Sequence, residues 1–203
     1  MRLFRPPALI DRIFPSFTWR LAVSGPVVFL TFDDGPHPDI TPFVLDQLAA
    51  GNHKATFFCV GENLKRYPEI AERIIREGHA IGNHTMRHNK GSETSDSDYF
   101  DSVDEFQQTY FAKLFRPPYG KIRRSQTKKL KEGFRIVMWS FLTYDYDKSV
   151  PVETILKKAA SLKAGTIVVL HDNPKITERQ QVLLPGLLEL LKKKGLTSEA
   201  IRT

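Results

Sequence analysis

The sequence predicts an α/β fold built on a parallel sheet, and three observations predict it. Short apolar runs alternate with amphipathic stretches at intervals of roughly 25–40 residues, the rhythm of repeated β/α units. The apolar runs lack polar alternation, as strands buried on both faces do. Clusters rich in Asp and His follow the runs directly, where such folds gather their chemistry.

The elements follow in order. "PVVFLTF" (26–32) is the first strand. "ITPFVLDQLAAG" is a helix, with Thr41 as its cap, Pro42 at its first position and Gly51 past its end. "KATFFCVG" is the next strand. Its Cys59, the one cysteine of the chain, is expected to be a buried, inert thiol. "PEIAERIIREG" is a helix with Ile70 and Ile74 on one face and Gly78 at its end. "HAIGNHT" is a short strand or strand end. "SDSDYFDSVDEFQQTYFAKLF" (95–115) reads as one long helix with its acids at the favourable N-terminal end. "RPPYGK" is a loop, because two prolines exclude regular structure. Then come a helix ("RRSQTKKLKEG"), a strand ("FRIVMWSF"), a helix ("VPVETILKKAASLKAG"), a strand ("TIVVLHDN") and a last helix ("PGLLELLKKKG"). No linker or repeat interrupts the series, so residues 1–203 read as one domain.

Composition narrows the function classes. No stretch of about 18 apolar residues occurs, so no membrane-spanning helix is expected. The early arginines suggest a signal peptide, but Pro6, Pro7, Asp11 and Arg12 break any apolar core, and the segment reads as part of the mature fold. With no export signal visible, the default location is cytoplasmic. The net charge of +7 favours anionic partners, yet no nucleic-acid motif accompanies it, so no nucleic-acid partner is expected. The basic patches at 121–135 and 192–194 read as solvated faces, and nothing specifies an oligomeric state.

Four clusters carry chemistry. "DDGP" sets Asp33 and Asp34 side by side at a strand end. Turn chemistry explains the second acid but not the first. Two adjacent carboxylates repel, and a cation would relieve them, one acid binding it and the other staying free as a base. "HTMRH" places His84 and His88 four residues apart, on one side of a helical turn, where both can grip one metal. A His-His-carboxylate set on zinc leaves a position open for water. "FRPPYG" holds Arg116 on a stiff loop, where a guanidinium can clamp a carboxylate bidentately and nearby backbone N–H groups can face an oxyanion. "VVLHDN" puts His171 at a strand end as a general acid, with Asp145 or Asp172 to hold it protonated. His37 and His53 look like loop residues, and His79 structural.

These pieces in this order resemble the polysaccharide deacetylases of the NodB homology family, carbohydrate esterase family 4. The motifs are "TFDDGP" (31–36), "HTMRH" (84–88), "RPPYG" (116–120), "DY" (145–146) and "LHD" (170–172). The resemblance runs from about Val27 to the C-terminal helix. It implies a single-domain distorted (β/α)7 barrel and metal-dependent removal of acetyl groups, chiefly N-acetyl, from an amino-sugar polymer such as peptidoglycan or a chitin-like glycan. By motif position it makes Asp33 the general base and Asp34, His84 and His88 the ligands of a divalent metal, Zn²⁺ or a similar ion such as Co²⁺. Arg116 would orient Asp33, Tyr119 would lend its backbone N–H to the oxyanion, and Asp145 would hold His171. Leu170 and Tyr146 would wall the acetyl methyl group. The family's usual targets lie in the cell envelope. Leu142 and Tyr146 depart from the family's usual Asp and Trp, and Asn89 from its Pro, which would loosen the metal loop. The rival functions are a glycan-binding module of the same fold, a metal-independent amidohydrolase and a glycoside hydrolase. The last is disfavoured because adjacent strand residues point to opposite faces.

Overall fold

The computed structural model describes residues 2–7 and 9–202. The elements are α1 (Ile10–Ile13), β1 (Val27–Asp33), α2 (Thr41–Ala50), β2 (Ala55–Cys59), α3 (Gly61–Arg66), α4 (Pro68–Arg76), β3 (Ala80–Asn83) and α5 (Asp96–Thr109). They continue with β4 (Leu114–Phe115), α6 (Arg124–Leu130), β5 (Arg135–Ile136), β6 (Phe141–Leu142), α7 (Val152–Ala159), β7 (Ile167–His171), α8 (Thr177–Lys193) and β8 (Thr197–Ser198). The strands form one sheet in the order β5-β4-β3-β2-β1-β7-β6, with β8 added on β1, and every ladder is parallel.

Strand alternation divides the core in two. Val28, Leu30 and Phe32 of β1, Phe57 of β2 and Val168 and Leu170 of β7 pack outward against leucines of α2 and α8. The alternate residues Phe29, Phe58 and Ile167 fill the inside of the curled sheet with Val137. One step further along this inner row stand Thr31, then Asp33, on β1 and Val169, then His171, on β7, with Asp33 opposite His171. The fold thus delivers apolar packing below and polar chemistry at the strand ends from one row of side chains.

The segment predicted as one strand over 134–141 is two. β5 and β6 lie at opposite ends of the sheet, and residues 137–140 carry the chain between them. That crossing closes the sheet into a distorted barrel at a seam without a regular ladder. There Thr18 donates to the Ile136 carbonyl at 2.8 Å, and its own carbonyl accepts from Met138 at 2.8 Å, so the N-terminal segment seals the seam.

Other expectations shift for local reasons. The helix read over 95–115 stops at Thr109, and the chain resumes as β4. Gln107 holds the exit, its Oε1 accepting from Ala112 N at 3.0 Å and its Nε2 donating to Ala112 O at 2.9 Å. The last helix begins at Thr177 rather than Pro185 and runs through that proline. The buried Leu183, Leu184, Leu187 and Leu191, worth about 1.5–3 kcal/mol each, outweigh a proline cost of about 3 kcal/mol. Thr41 lies inside α2 rather than capping it, and its hydroxyl has another task. α3 and β8 escaped the sequence reading because both are short.

Candidate active site

Five strands deliver the site residues at their C-terminal ends. Asp33 ends β1, and Asp34 follows with a left-handed backbone (φ 84). That turn overrides strand alternation, so both acids line one cavity of about 680 Å³. The objection that adjacent acids must face apart does not hold here.

Asp33 is nearly buried, and its charge is met by Arg116, which is fully buried. Arg116 Nη1 donates to Asp33 Oδ1 and to Thr31 Oγ1, both at 2.7 Å. The clamp is therefore through one nitrogen, not bidentate. The remaining donors reach the barrel seam, Nε to Val137 O at 3.1 Å and Nη2 to Met138 O at 2.9 Å. The guanidinium also lies over the Phe58 ring, 4.1 Å from its centroid. A side chain so tied has one rotamer, and so has the carboxylate it holds.

His84 and His88 do not sit on a helical turn. The segment is a loop with left-handed Thr85 (φ 63) and His88 (φ 54), a costly conformation for a β-branched residue. Asn83 Oδ1 accepts from Thr85 N at 2.8 Å and fixes it. Asn89 does not loosen the loop. Its Oδ1 accepts from Ser102 Oγ of α5 at 2.6 Å, and its N–H donates to Thr85 Oγ1 at 2.9 Å.

Asp34, His84 and His88 converge, with ligand atoms all within 4.8 Å of one another. Asp34 Oδ1 lies 3.1 Å from His88 Nε2 and 3.8 Å from His84 Nε2. His84 Nδ1 stands 2.7 Å from the Arg116 carbonyl, which only accepts, so Nδ1 carries the hydrogen and Nε2 its lone pair. Burial pushes His84 down to about 4, keeping the ring neutral. Burial would raise Asp34, but its hydrogen bond with His88 and, next, the charge of His171 hold it well below the carboxylate range. A neutral imidazole with its outer nitrogen satisfied, a second imidazole and an ionised carboxylate make a donor set that fits a divalent metal.

Opposite stands His171, whose Nδ1 lies 2.7 Å from Asp145 Oδ1, while its backbone N–H donates to Asp145 Oδ2 at 2.8 Å. Burial would lower His171. The charge and hydrogen bond of Asp145, with Asp34 and Asp33 behind it, instead raise it to about 10. Of the two acids expected to hold this histidine, Asp145 does so. Asp172 turns away, Oδ1 accepting from Gly35 N at 2.9 Å and Oδ2 from Thr41 Oγ1 at 2.6 Å. Cys59 is buried, with its thiol pushed well up by burial, as expected.

The walls differ from expectation at one position. Tyr119 and Tyr146 line the cavity as exposed rings, Tyr146 meeting the His171 ring edge-on at 5.2 Å. Leu170 does not line it. One residue before His171, it faces the helices and is fully buried in the outer core, while Val169 and Leu142 line the floor.

Three residues escaped sequence reading. Asn173 Nδ2 donates to Asp34 Oδ2 at 3.2 Å, and Asn63 Nδ2 to the Asp34 carbonyl at 2.8 Å. Gln180 Nε2 donates to Asp145 Oδ2 at 2.7 Å and to the His171 carbonyl at 2.8 Å. No short motif marks amides that come from other elements.

Known proteins resemble this chain in sequence and in fold. A family model for polysaccharide deacetylases matches residues 21–135. A peptidoglycan-N-acetylglucosamine deacetylase of Bacillus cereus is 38% identical over 186 residues, covering 88% of this chain and 87% of the relative. A second enzyme so named from Bacillus cereus is 38% identical over 174 residues, and the match covers 78% of this chain but only 63% of that longer relative. The crystal structure of a peptidoglycan N-acetylglucosamine deacetylase bound to an N-hydroxybenzamide superposes with a TM-score of 0.86 at 33% identity, covering 95% of this chain and 94% of that one. On the strength of the family match and of the relative aligned along nearly its whole length, the chain belongs to the polysaccharide deacetylase family.

Proposed function

We propose that this chain hydrolyses the N-acetyl group of N-acetylglucosamine units in peptidoglycan, with Zn²⁺ as its metal and the cell envelope as its place of action. The observation that carries the reading is the pairing, across one cavity, of an Asp-His-His metal cluster with a separate Asp-His pair. Both relatives named above are called deacetylases of this substrate. A ligand set of two imidazoles and one carboxylate is the open, catalytic type for zinc.

When bound, the ion supplies polarisation of the acetyl carbonyl and activation of water. Asp33, held by Arg116, accepts the proton of the attacking water. The backbone N–H of Tyr119 faces the developing oxyanion. His171, kept protonated by Asp145, gives its proton to the leaving amine. Tyr146, Leu142 and Val169 enclose the acetyl methyl group.

The test measures metal content and acetate release from peptidoglycan fragments and acetylated chito-oligosaccharides, with Asp34→Ala as control. Metal with acetate release, lost in the variant, supports the reading. Cleaved sugar chains without acetate, or binding without turnover, would overturn it.

A further inference from the structure

Beside the main cavity lies a smaller one of about 310 Å³, and the two share Asp34, Tyr146, His171, Asn173 and Lys175. The annex adds Lys148 and Ile176. It opens directly off His171, the acid that serves the leaving group. The proposed chemistry uses Asp34, His171 and Tyr146 of its lining but gives no task to Lys148 or Lys175.

Charge is distributed unevenly around the cavity rim. At one end Arg87 is neutralised, its Nε 3.4 Å from Glu62 and its Nη2 2.6 Å from Glu105. At the annex end, among the described residues, neither Lys148 nor Lys175 forms an ion pair. The acid next in sequence to Lys148 is already engaged, Asp147 being paired with Arg2 and bonded to Ser149 at 2.7 Å. Within the site, Asp33 is answered by Arg116, and Asp145 by His171 and Gln180. The one carboxylate of the annex lining, Asp34, belongs to the metal cluster, so the two lysines, unpaired among the described residues, and the protonated His171 leave the annex electropositive on a chain of net charge +7.

We propose that this annex recognises a carboxylate on the sugar next to the one being deacetylated, so that Lys148 and Lys175 select acidic over neutral glycans. The proposal rests on the deacetylase reading and deepens it. A neutral chitin-like chain offers the annex nothing to pair with. A peptidoglycan strand offers a carboxylate on alternate sugars, either the lactyl group itself or the end of an attached peptide. Ammonium groups on flexible stems suit such a ligand, because they reach a carboxylate without demanding one planar geometry.

The experiment compares the metal-loaded wild type with Lys148→Gln/Lys175→Gln on three glycans. These are acetylated chito-oligosaccharide, peptide-free peptidoglycan strands and peptide-bearing strands. The ratio of kcat/KM on acidic to neutral glycan is read at low and high salt. We expect that ratio to fall about threefold to thirtyfold in the variant, through KM, the span that two solvent-exposed charge pairs supply. The salt dependence of the wild-type ratio should flatten with it. Loss on peptide-free strands assigns the lactyl carboxylate, and loss on peptide-bearing strands alone assigns the peptide's. An unchanged ratio, or an equal fall on all three glycans, overturns the proposal. Calorimetric binding of a peptide-free acidic disaccharide to both proteins gives a second readout independent of turnover. Acetate release from none of the glycans would sink the deacetylase reading, while the binding arm still tests the lysines.

Discussion

Gln180 and Asp145 meet across the gap between α8 and the end of β6, the amide Nε2 donating to Oδ2 at 2.7 Å. The same amide holds the His171 carbonyl at 2.8 Å, and Gln180 is fully buried. Its Oε1 is buried without a partner, so the residue gives up one hydrogen bond to make two at the dyad. Replacing it by Leu removes both donors and leaves the Asp145 oxygen with one fewer. A bond to a charged acceptor is worth about 1.5–3 kcal/mol, so kcat should fall roughly tenfold to a hundredfold with KM little changed. Steady-state kinetics of Gln180→Leu checks this. A change in KM alone would place the residue in substrate binding instead.

The Asp145–His171 pair makes a pH prediction. His171 is raised to about 10, against an ordinary 6.5, by Asp145 first among the groups that oppose burial. The charged ring therefore contributes stability that is fully present below 6.5 and lost as pH rises through about 10. In Asp145→Asn the opposing charge is gone, and burial, the largest influence on the ring, pushes it down. The variant should keep a neutral His171 at neutral pH, with the alkaline limb of kcat moved to acid and activity at neutral pH strongly reduced. Titration of the His171 ring by NMR decides the matter, and a ring that stayed charged through neutral pH would contradict the assignment.

How much of this was legible in the sequence depends on distance along the chain. Asp33, Asp34, His84, Arg116 and His171 were readable because each follows an apolar run, and a parallel sheet carries all strand ends to one rim. The helical reading of residues 84–88 failed because spacing alone does not distinguish a helix turn from a loop held by Asn83 and two left-handed residues. Gln180 was invisible because its partners lie 35 and 9 residues away. The split of the predicted strand over 134–141 follows from barrel closure, a property of the whole sheet that the segment does not encode locally.

Asp172 tests a structural role for an acid inside a catalytic motif. It is fully buried and pushed up to about 7, first by burial, with Asp34 adding and the Thr41 hydrogen bond opposing. It joins Gly35 at the metal loop to Thr41 at the start of α2, and a Cβ at Gly35 would come within 2.0 Å of its Oδ2. Asp172→Ala leaves Gly35 N and the Thr41 hydroxyl without their partner, which should cost about 2–4 kcal/mol in denaturant unfolding. Gly35→Ala should be comparably damaging by direct clash. Because the folded value lies above the unfolded one near 4, the contribution of this carboxyl to the stability of the metal-free protein is lost as pH rises from about 4 through 7, while the buried His84 and His79, pushed down to about 4, contribute the opposite slope below 6.5. Asp172→Asn should therefore make the stability of the metal-free protein rise more steeply over that window than the wild type's, and identical pH profiles for the two would remove the role from Asp172.

Leu170 and Val169 separate packing from substrate contact at adjacent positions of β7. Alternation sends Leu170 outward to the helices and Val169 inward to the cavity floor, so the two should fail in different ways. Leu170→Ala opens a hole in the outer core and should cost about 2–5 kcal/mol of stability, with a lowered Tm but an ordinary KM for the molecules that remain folded. Val169→Leu pushes one more methylene into the floor below His171. Because Val169 is almost fully buried, the change should cost about 1–3 kcal/mol of stability, less than the hole at Leu170, and lower kcat/KM about tenfold, since one methylene in a fitted apolar pocket is worth about 1–3 kcal/mol. Thermal melts and kinetics on the two single variants make the comparison. If Leu170→Ala raised KM while Val169→Leu did not, the acetyl group would lie against the other face of the strand, and Val169 would not be its floor.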